Sequence, residues 1–414
     1  MKTYNTINNI SCVDNKHQKS TRKISVVVVT ADFGMGGISK SLIEWLNLVD
    51  YKKYDITLYI RRNDTLDLLS FVNNNVNIVT VDSELKKQVY DDSFVGKTIK
   101  LICTILRKFN KKYLAKQIYR WYKYPRQREI EGEYFKKNKL SYDTAIAYST
   151  ADDIPIFVLE QIKASRKYLF IHQSTSISKQ NQKSLSHFDG VVAVSDNLCE
   201  QLKKEFPNKQ INFISLPNYV SHSRVTKLAN EVTVYTDKSI LNLATCGRLV
   251  EVKGYDILLE TAEKLKKKGL NFIWNWIGDG SERKKLEDGI KSKKLEKEVH
   301  ILGEKINPYP YIKSCDIYVQ PSKAEASPLT IFEALSLGKV VISTKTVGGK
   351  YILTKYNCGK LVDFSSDEIA EKIFELATNP KVSLTEQKKV KDIDWLKEEN
   401  EYRDNWDKLL SGKI

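Results

Sequence analysis

Short apolar, β-branched runs alternate with amphipathic stretches along almost the whole chain, and this alternation restricts the fold more than any other feature. The runs at 24–30, 55–60, 76–81, 143–149, 167–172 and 190–195 are apolar at consecutive rather than alternate positions. Such strands need cover on both faces, as in a parallel sheet. Helical spacing fills several of the intervals, as at 39–49 and 197–206. After a polar stretch of no clean period at 218–238, a second strand series runs through 240–246, 271–277, 299–302, 316–320 and 339–343. Helical patterns in that half fall at 255–268, 282–290, 329–337 and 367–377. The alternation predicts an α/β protein with two doubly wound, Rossmann-like domains facing a central cleft. A length of 414 residues suits two cores rather than one. The expected divisions are a polar, mobile tail over 1–23, a first domain over 24–218, a second over 219–394 and a terminal helix over 395–414. Ligands of such sheets bind at the carboxyl ends of the strands, where the strand order reverses.

Composition narrows the partners. Lys and Arg number 67 against 51 Asp and Glu, a surplus of +16 that calls for an anionic partner. The six cysteines form no C-x-x-C pair, and no His stands at ligand spacing from them. A reducing compartment fits this usage; a disulfide framework or a zinc site does not. No apolar run approaches the ~20 residues that span a bilayer, and 1–23 lacks an apolar leader core. The expected location is cytoplasmic.

One segment breaks the rhythm. Residues 97–128 contain no Asp or Glu but many cations, among them Arg107, Lys108, Lys111 and Lys112, interleaved with Phe109, Tyr113, Leu114 and Trp121. Three- and four-residue apolar spacing makes this a basic amphipathic helix or helix pair, inserted over about 85–138. Two readings stand. The apolar face packs on its own domain, or it lies at an anionic membrane interface, where each cation adds about 1 kcal/mol. No nucleic-acid-binding signature accompanies it.

Several strand ends carry chemistry. The segment from Pro321 to Gly338 is a loop and a helix holding Glu325 just before the helix and Glu333 within an apolar run. A helix N-terminus offers free N–H groups to phosphate. Glu325 is either a ligand group or a favourable charge at that N-terminus. Glu333 either meets ligand hydroxyls or lies on a solvated face. Arg248 and Lys253, at and after another strand end, are a diphosphate pair or ordinary surface cations. Gly278-Asp279-Gly280 with Ser281 as N-cap reads as a strand–turn–helix unit. Gly36-Gly37 follows the first strand, where glycine lets backbone approach a ligand. His172 ends a strand as a catalytic or a structural histidine, and Asp152-Asp153 is an isolated acidic pair at a helix start.

The order and spacing of these features resemble glycosyltransferase family 4 of the GT-B fold. The matching residues are Gly36-Gly37, His172, Val194-Ser195, Pro217-Asn218, Gly247-Arg248-Leu249 with Lys253-Gly254, Gly278-Asp279-Gly280, and Glu325 with Glu333 at E-x7-E spacing. The resemblance implies a retaining transferase that uses a nucleotide-diphosphate sugar, a UDP-sugar, without metal. It implies that Arg248 and Lys253 bind the diphosphate, Glu333 the ribose and Glu325 the transferred sugar. His172 would lie near sugar and acceptor, and Gly36, Gly37 and Gly278 would line the site. The terminal helix with Trp395, Tyr402 and Trp406 would return to the first domain. The first reading of the acceptor is a lipid-linked or growing cell-surface glycan; the basic insertion motivates its lipid-linked part and a peripheral place at the inner face of the membrane. The chain departs from the family at Ala326-Ser327-Pro328-Leu329, where Pro328 supplies no N–H while the amides of Ser327 and Leu329 remain. A soluble or protein acceptor, or a catalytically silent partner subunit, are the alternatives.

Overall fold

Val26, Val27, Val28 and Val29 are all fully buried, which places β2 (Ile24–Thr30) inside a sheet covered on both faces. The computed structural model describes residues 5–6, 22–62, 66–80, 94–151, 153–173, 177–207, 210–234, 236–237 and 239–414. The chain divides into two compact units. The first comprises Met1–Ala193, Cys199–Ser215 and Trp406–Ile414, and the second Val194–Leu198 and Leu216–Asn405.

The first sheet adds β1 (Asn5–Thr6), β3 (Tyr54–Ile60), β4 (Asn77–Thr80), β5 (Tyr142–Ala147), β6 (Ala164–Ile171), β7 (Gly190–Ala193) and β8 (Phe213–Ser215). Their order is β1-β4-β3-β2-β5-β6-β7-β8, with parallel pairing. The order reverses between β2 and β5. Right-handed crossovers on the two sides of that point lie on opposite faces of the sheet. The second unit holds β9 (Leu241–Cys246), β10 (Phe272–Ile277), β11 (Val299–Gly303), β12 (Ile317–Gln320), β13 (Val340–Thr344) and β14 (Lys360–Val362). Its order is β11-β10-β9-β12-β13-β14, again parallel, and it reverses between β9 and β12.

Local differences from the sequence reading have local causes. The polar stretch at 218–238 contains a helix, His222–Ala229, whose N-cap Ser221 accepts from the Arg224 amide and which buries Val225, Leu228 and Ala229. Ser281 is not an N-cap. The helix Arg283–Ser292 starts one residue later because the Glu282 amide donates to the Leu249 carbonyl. In the first unit, the indole of Trp406 stacks on Trp45 at 4.0 Å and on Phe170 at 5.1 Å. Cys103, Cys199, Cys246, Cys315 and Cys358 are free and buried; Cys12 and most of the tail lie outside the described residues.

The basic segment forms a helical hairpin, Phe94–Lys108 and Lys112–Lys137. Its turn uses Asn110 at φ 59°. Residues 81–93, where the insertion was expected to begin, are outside the described set. Cys103 and Ala115 are buried between the helices, joined by a bond from Cys103 Sγ to the Ala115 carbonyl. The base of the hairpin is tied to the sheet by buried charges. Arg61, just past β3, donates from Nε to Glu131 at 2.7 Å and from Nη1 to Asp153 at 2.6 Å. Arg128 reaches the other oxygen of Asp153 at 3.0 Å. The pair member Asp153 therefore serves an internal ion network, while Asp152 is not described. No described helix is long and apolar enough to cross a membrane.

Arg61 is 4% exposed and Glu131 fully buried, so neither charge has a solvent alternative. Arg61→Met should destabilise the first unit by about 3–5 kcal/mol, the cost of leaving buried charge without its partner. Urea denaturation followed by circular dichroism measures this.

Candidate functional site

At the reversal point of the second sheet, β9 and β12 send their loops toward each other. After β9 the chain passes Arg248, makes a 3-10 turn at Glu251–Lys253, and enters the helix Tyr255–Lys267 through Gly254. Gly254 has φ 71°, and a Cβ there would lie 2.2 Å from the Pro321 carbonyl oxygen. The Lys323 amide donates to the Val252 carbonyl at 2.8 Å. The two loops are thus clamped backbone to backbone, and the clamp brings Lys253 Nζ into an ion pair with Glu325 Oε1. That oxygen also accepts from Ser322 Oγ at 2.9 Å and Gln320 Nε2 at 3.3 Å. Gln320 is oriented in turn, because its Oε1 accepts from Thr330 Oγ1 at 2.9 Å. Lys253 and Glu325, read separately from the sequence, are one charge pair here. Gln320, Ser322 and Thr330 were missed.

Arg248 is exposed and has no ion-pair partner among the described residues. Its loop rests on the turn after β10. Gly278 has φ 151°, and a Cβ there would lie 1.9 Å from the Gly247 carbonyl oxygen. The Leu249 amide donates to the Asp279 carbonyl at 2.9 Å. Gly278 thus has a packing role, setting the backbone from which Arg248 projects.

Glu333 is 1% exposed, which removes the solvated-face reading. It stands in the helix Leu329–Ser336 and its Oε1 accepts from the Tyr309 hydroxyl at 3.1 Å. Burial first, and the Glu333 carboxylate second, push the Tyr309 phenol well up, with Arg224 opposing. Tyr309 therefore remains a donor at working pH. Pro328 takes the N-cap position of the same helix. Its ring fills the space where Gly348 has no side chain, and the Gly348 amide donates to the Glu325 carbonyl at 2.8 Å. Proline thus docks this loop on the start of the helix Val347–Lys355. Ser327 and Leu329 flank it, and the Leu329 amide, in the helix's first turn, has no intrahelical acceptor.

In the first unit, Gly36 caps the helix Gly37–Leu48. Both Gly36 and Gly37 are exposed, and a Cβ at either would meet nothing within 4 Å. Protein packing therefore does not demand glycine at these positions. His172 follows β6, and its Nε2 lies 3.2 Å from the Tyr148 carbonyl. A carbonyl only accepts, so Nε2 carries the proton and Nδ1 is an acceptor. Burial holds the imidazole down to about 4, opposed by the carbonyl bond. Tyr148 stacks on Phe170 and shares a 3.1 Å hydrogen bond with Ser41 of the helix that begins at Gly37. Arg107, Lys108, Lys111, Lys112 and Trp121 are exposed on the hairpin, also in this unit.

Residues 234–393 match the family model described as Glycosyl transferases group 1. An uncharacterized glycosyltransferase of Methanocaldococcus jannaschii is 30% identical over 155 residues, 36% of this chain and 38% of that protein. The poly(ribitol-phosphate) alpha-N-acetylglucosaminyltransferase of Staphylococcus aureus is 22% identical over 357 residues, 78% of this chain and 66% of that protein. The chain thus spans less than two thirds of the length of these relatives. The crystal structure of Anabaena HepE in complex with UDP aligns over 94% of this chain and all of that one, with 15% identity and a TM-score of 0.64. This likeness establishes the GT-B fold.

The depressed His172 pKa has a defined pH signature. Between about 6.5 and 4 the unfolded chain takes up a proton that the folded chain refuses, so stability falls with acidification across that window. His172→Gln should remove roughly 1–3 kcal/mol of the stability difference between pH 7 and pH 4. Thermal melts of both proteins across that range test it.

Proposed function

We propose, from the assignment of residues 234–393 to the group 1 glycosyl transferases, that the chain is a retaining glycosyltransferase of family 4. It moves a sugar from a nucleotide-diphosphate donor, a UDP-sugar, to a lipid-linked or growing cell-surface glycan at the inner face of the membrane. The observation that carries this reading is the charge arrangement at the β9–β12 reversal point. Arg248 is exposed there, and beside it Lys253 is held by Glu325 at the mouth of a helix N-terminus.

Departure of the leaving group places extra negative charge on the nucleoside diphosphate. Arg248 supplies a bidentate guanidinium, Lys253 a point charge, and the first turn of Leu329–Ser336 its amides. These groups stabilise the developing charge without a divalent metal. When Lys253 turns to the diphosphate, Glu325 is released to accept from sugar hydroxyls, still oriented by Ser322 and Gln320. Glu333, aligned by Tyr309, accepts from the ribose hydroxyls. His172 and the Gly36-Gly37 turn serve the acceptor side, where a neutral imidazole offers Nδ1 to a hydroxyl. The poly(ribitol-phosphate) acceptor in the name of the S. aureus relative supports a surface-glycan acceptor.

Removing one group that stabilises developing charge costs about 2.7–4 kcal/mol in comparable sites. Arg248→Ala and Lys253→Ala should each lower turnover at saturating donor at least a hundredfold, with the fold intact by circular dichroism. Near-normal turnover in either variant would overturn the assignment. Donor hydrolysis by the purified chain separates an active transferase from a silent subunit. In a thermal-shift series, uridine diphosphate sugars should stabilise the chain above guanosine and adenosine diphosphate sugars, by the linkage RT ln(1 + [L]/Kd).

A further inference from the structure

The helical hairpin carries two apolar faces, of which one is packed between its helices and the other is exposed among the described residues. Cys103 and Ala115 form the seam between the helices, with the half-buried Ile99, Leu106, Ile118 and Tyr122 around them. The other face is exposed. Leu101, Ile105 and Phe109 follow one another at four-residue spacing on the first helix and its turn, with exposures of 61%, 44% and 74%. On the second helix Tyr113, Leu114 and Trp121 are 77%, 46% and 76% exposed. Arg107, Lys108, Lys111 and Lys112 lie at the turn, exposed and without an acidic partner among the described residues.

We infer that this tip is a docking surface for an anionic lipid bilayer. The inference deepens the acceptor part of the proposed function, but it stands on the hairpin alone and not on the donor site. Charge selects the occupant. Residues 97–128 hold no carboxylate, so a second copy of the chain meeting this face through its own would set cation against cation. A nucleic-acid backbone would satisfy the cations but leave Leu101, Ile102 and Ile105 in water. An anionic bilayer satisfies both groups: phosphates lie at the level of the lysines, and acyl chains lie beneath for the aliphatic residues. Trp121 and Tyr113 suit the boundary between, where an aromatic body meets apolar chains and its polar tip stays wet.

The base of the hairpin supports this role. The buried Arg61, Glu131 and Asp153 network fixes the long helix to the first sheet, so the tip is presented from a fixed root. The surface is not a spanning segment, since no described helix is long and apolar enough for that.

The test uses the full chain and sedimentation with vesicles of phosphatidylcholine, alone or mixed with phosphatidylglycerol. The chain should pellet with the mixed vesicles at low salt, and release as salt rises, because exposed charges are screened over about 8 Å at physiological ionic strength. The double variants Phe109→Ser/Trp121→Ser and Lys108→Glu/Lys111→Glu should each lose at least tenfold in binding. Both alter exposed side chains, so melting temperature and donor hydrolysis in solution should stay at the wild-type level. Loss of donor hydrolysis in Arg248→Ala with vesicle binding intact would separate the two proposals. Failure to pellet at low salt would overturn the inference. So would binding lost only in the charge variant, which is general attraction without docking of the apolar face. A dimer dispersed by the same substitutions, without vesicle binding, would make the face a self-association surface instead.

Discussion

The polar end of the second sheet depends on two loops touching through their backbones. Gly254 lies against the Pro321 carbonyl, and the Lys323 amide closes the contact onto Val252. A side chain at position 254 would hold the loops apart by roughly its own width. Lys253 would then be carried away from Glu325, and the Ser322 and Gln320 hydrogen bonds would orient a carboxylate with no counter-ion. Gly278 does the same for the next loop, where its contact with the Gly247 carbonyl fixes the base of Arg248. The charges are placed by the absence of side chains elsewhere. A reversal of strand order makes the room, because β9 and β12 are neighbours whose crossovers leave in opposite directions.

This division of labour explains what was legible in the sequence. Burial on both faces forces consecutive apolar residues, so runs such as ISVVVVT announce their strands directly. The three-residue strands β8 and β14 are too short to display any period. The helix His222–Ala229 has two turns, and its apolar positions 225, 228 and 229 are one signal among many polar neighbours. Arg248, Lys253 and Glu325 stand out by charge at strand ends. Their organisation does not, since Lys253 and Glu325 are 72 residues apart. Gln320 and Ser322 read as the polar fringe of a strand until their hydrogen bonds are seen. For Glu333 the sequence left two readings, and its burial against Tyr309 removes the solvated face.

The hairpin was legible in its periodicity and illegible in its orientation. Apolar residues at three- and four-residue spacing fall on both sides of each helix, so spacing alone does not tell the seam from the exposed face. Partner geometry does. Cys103 against Ala115 defines the seam, and whatever lies across the helix from it is left outside. The root is equally non-local: Arg61 finds Glu131 at a separation of 70 residues and Asp153 at 92.

The formal charge of +16 can now be divided. Arg61 and Arg128 are matched by Glu131, Asp153 and Glu160, and Lys253 is matched by Glu325. These cations add nothing to the field that a distant partner meets. Arg248 and the hairpin tip are different, being exposed and unmatched among the described residues. Arg248 is a single exposed cation at the end of one strand, which suits a small anion. The tip sets Arg107, Lys108, Lys111 and Lys112 around one turn, beside exposed apolar side chains, which suits an extended anionic surface with an apolar interior. Under the two proposals, the surplus read from composition divides between a small-anion site and an extended anionic surface, distinguished by what lies between the charges.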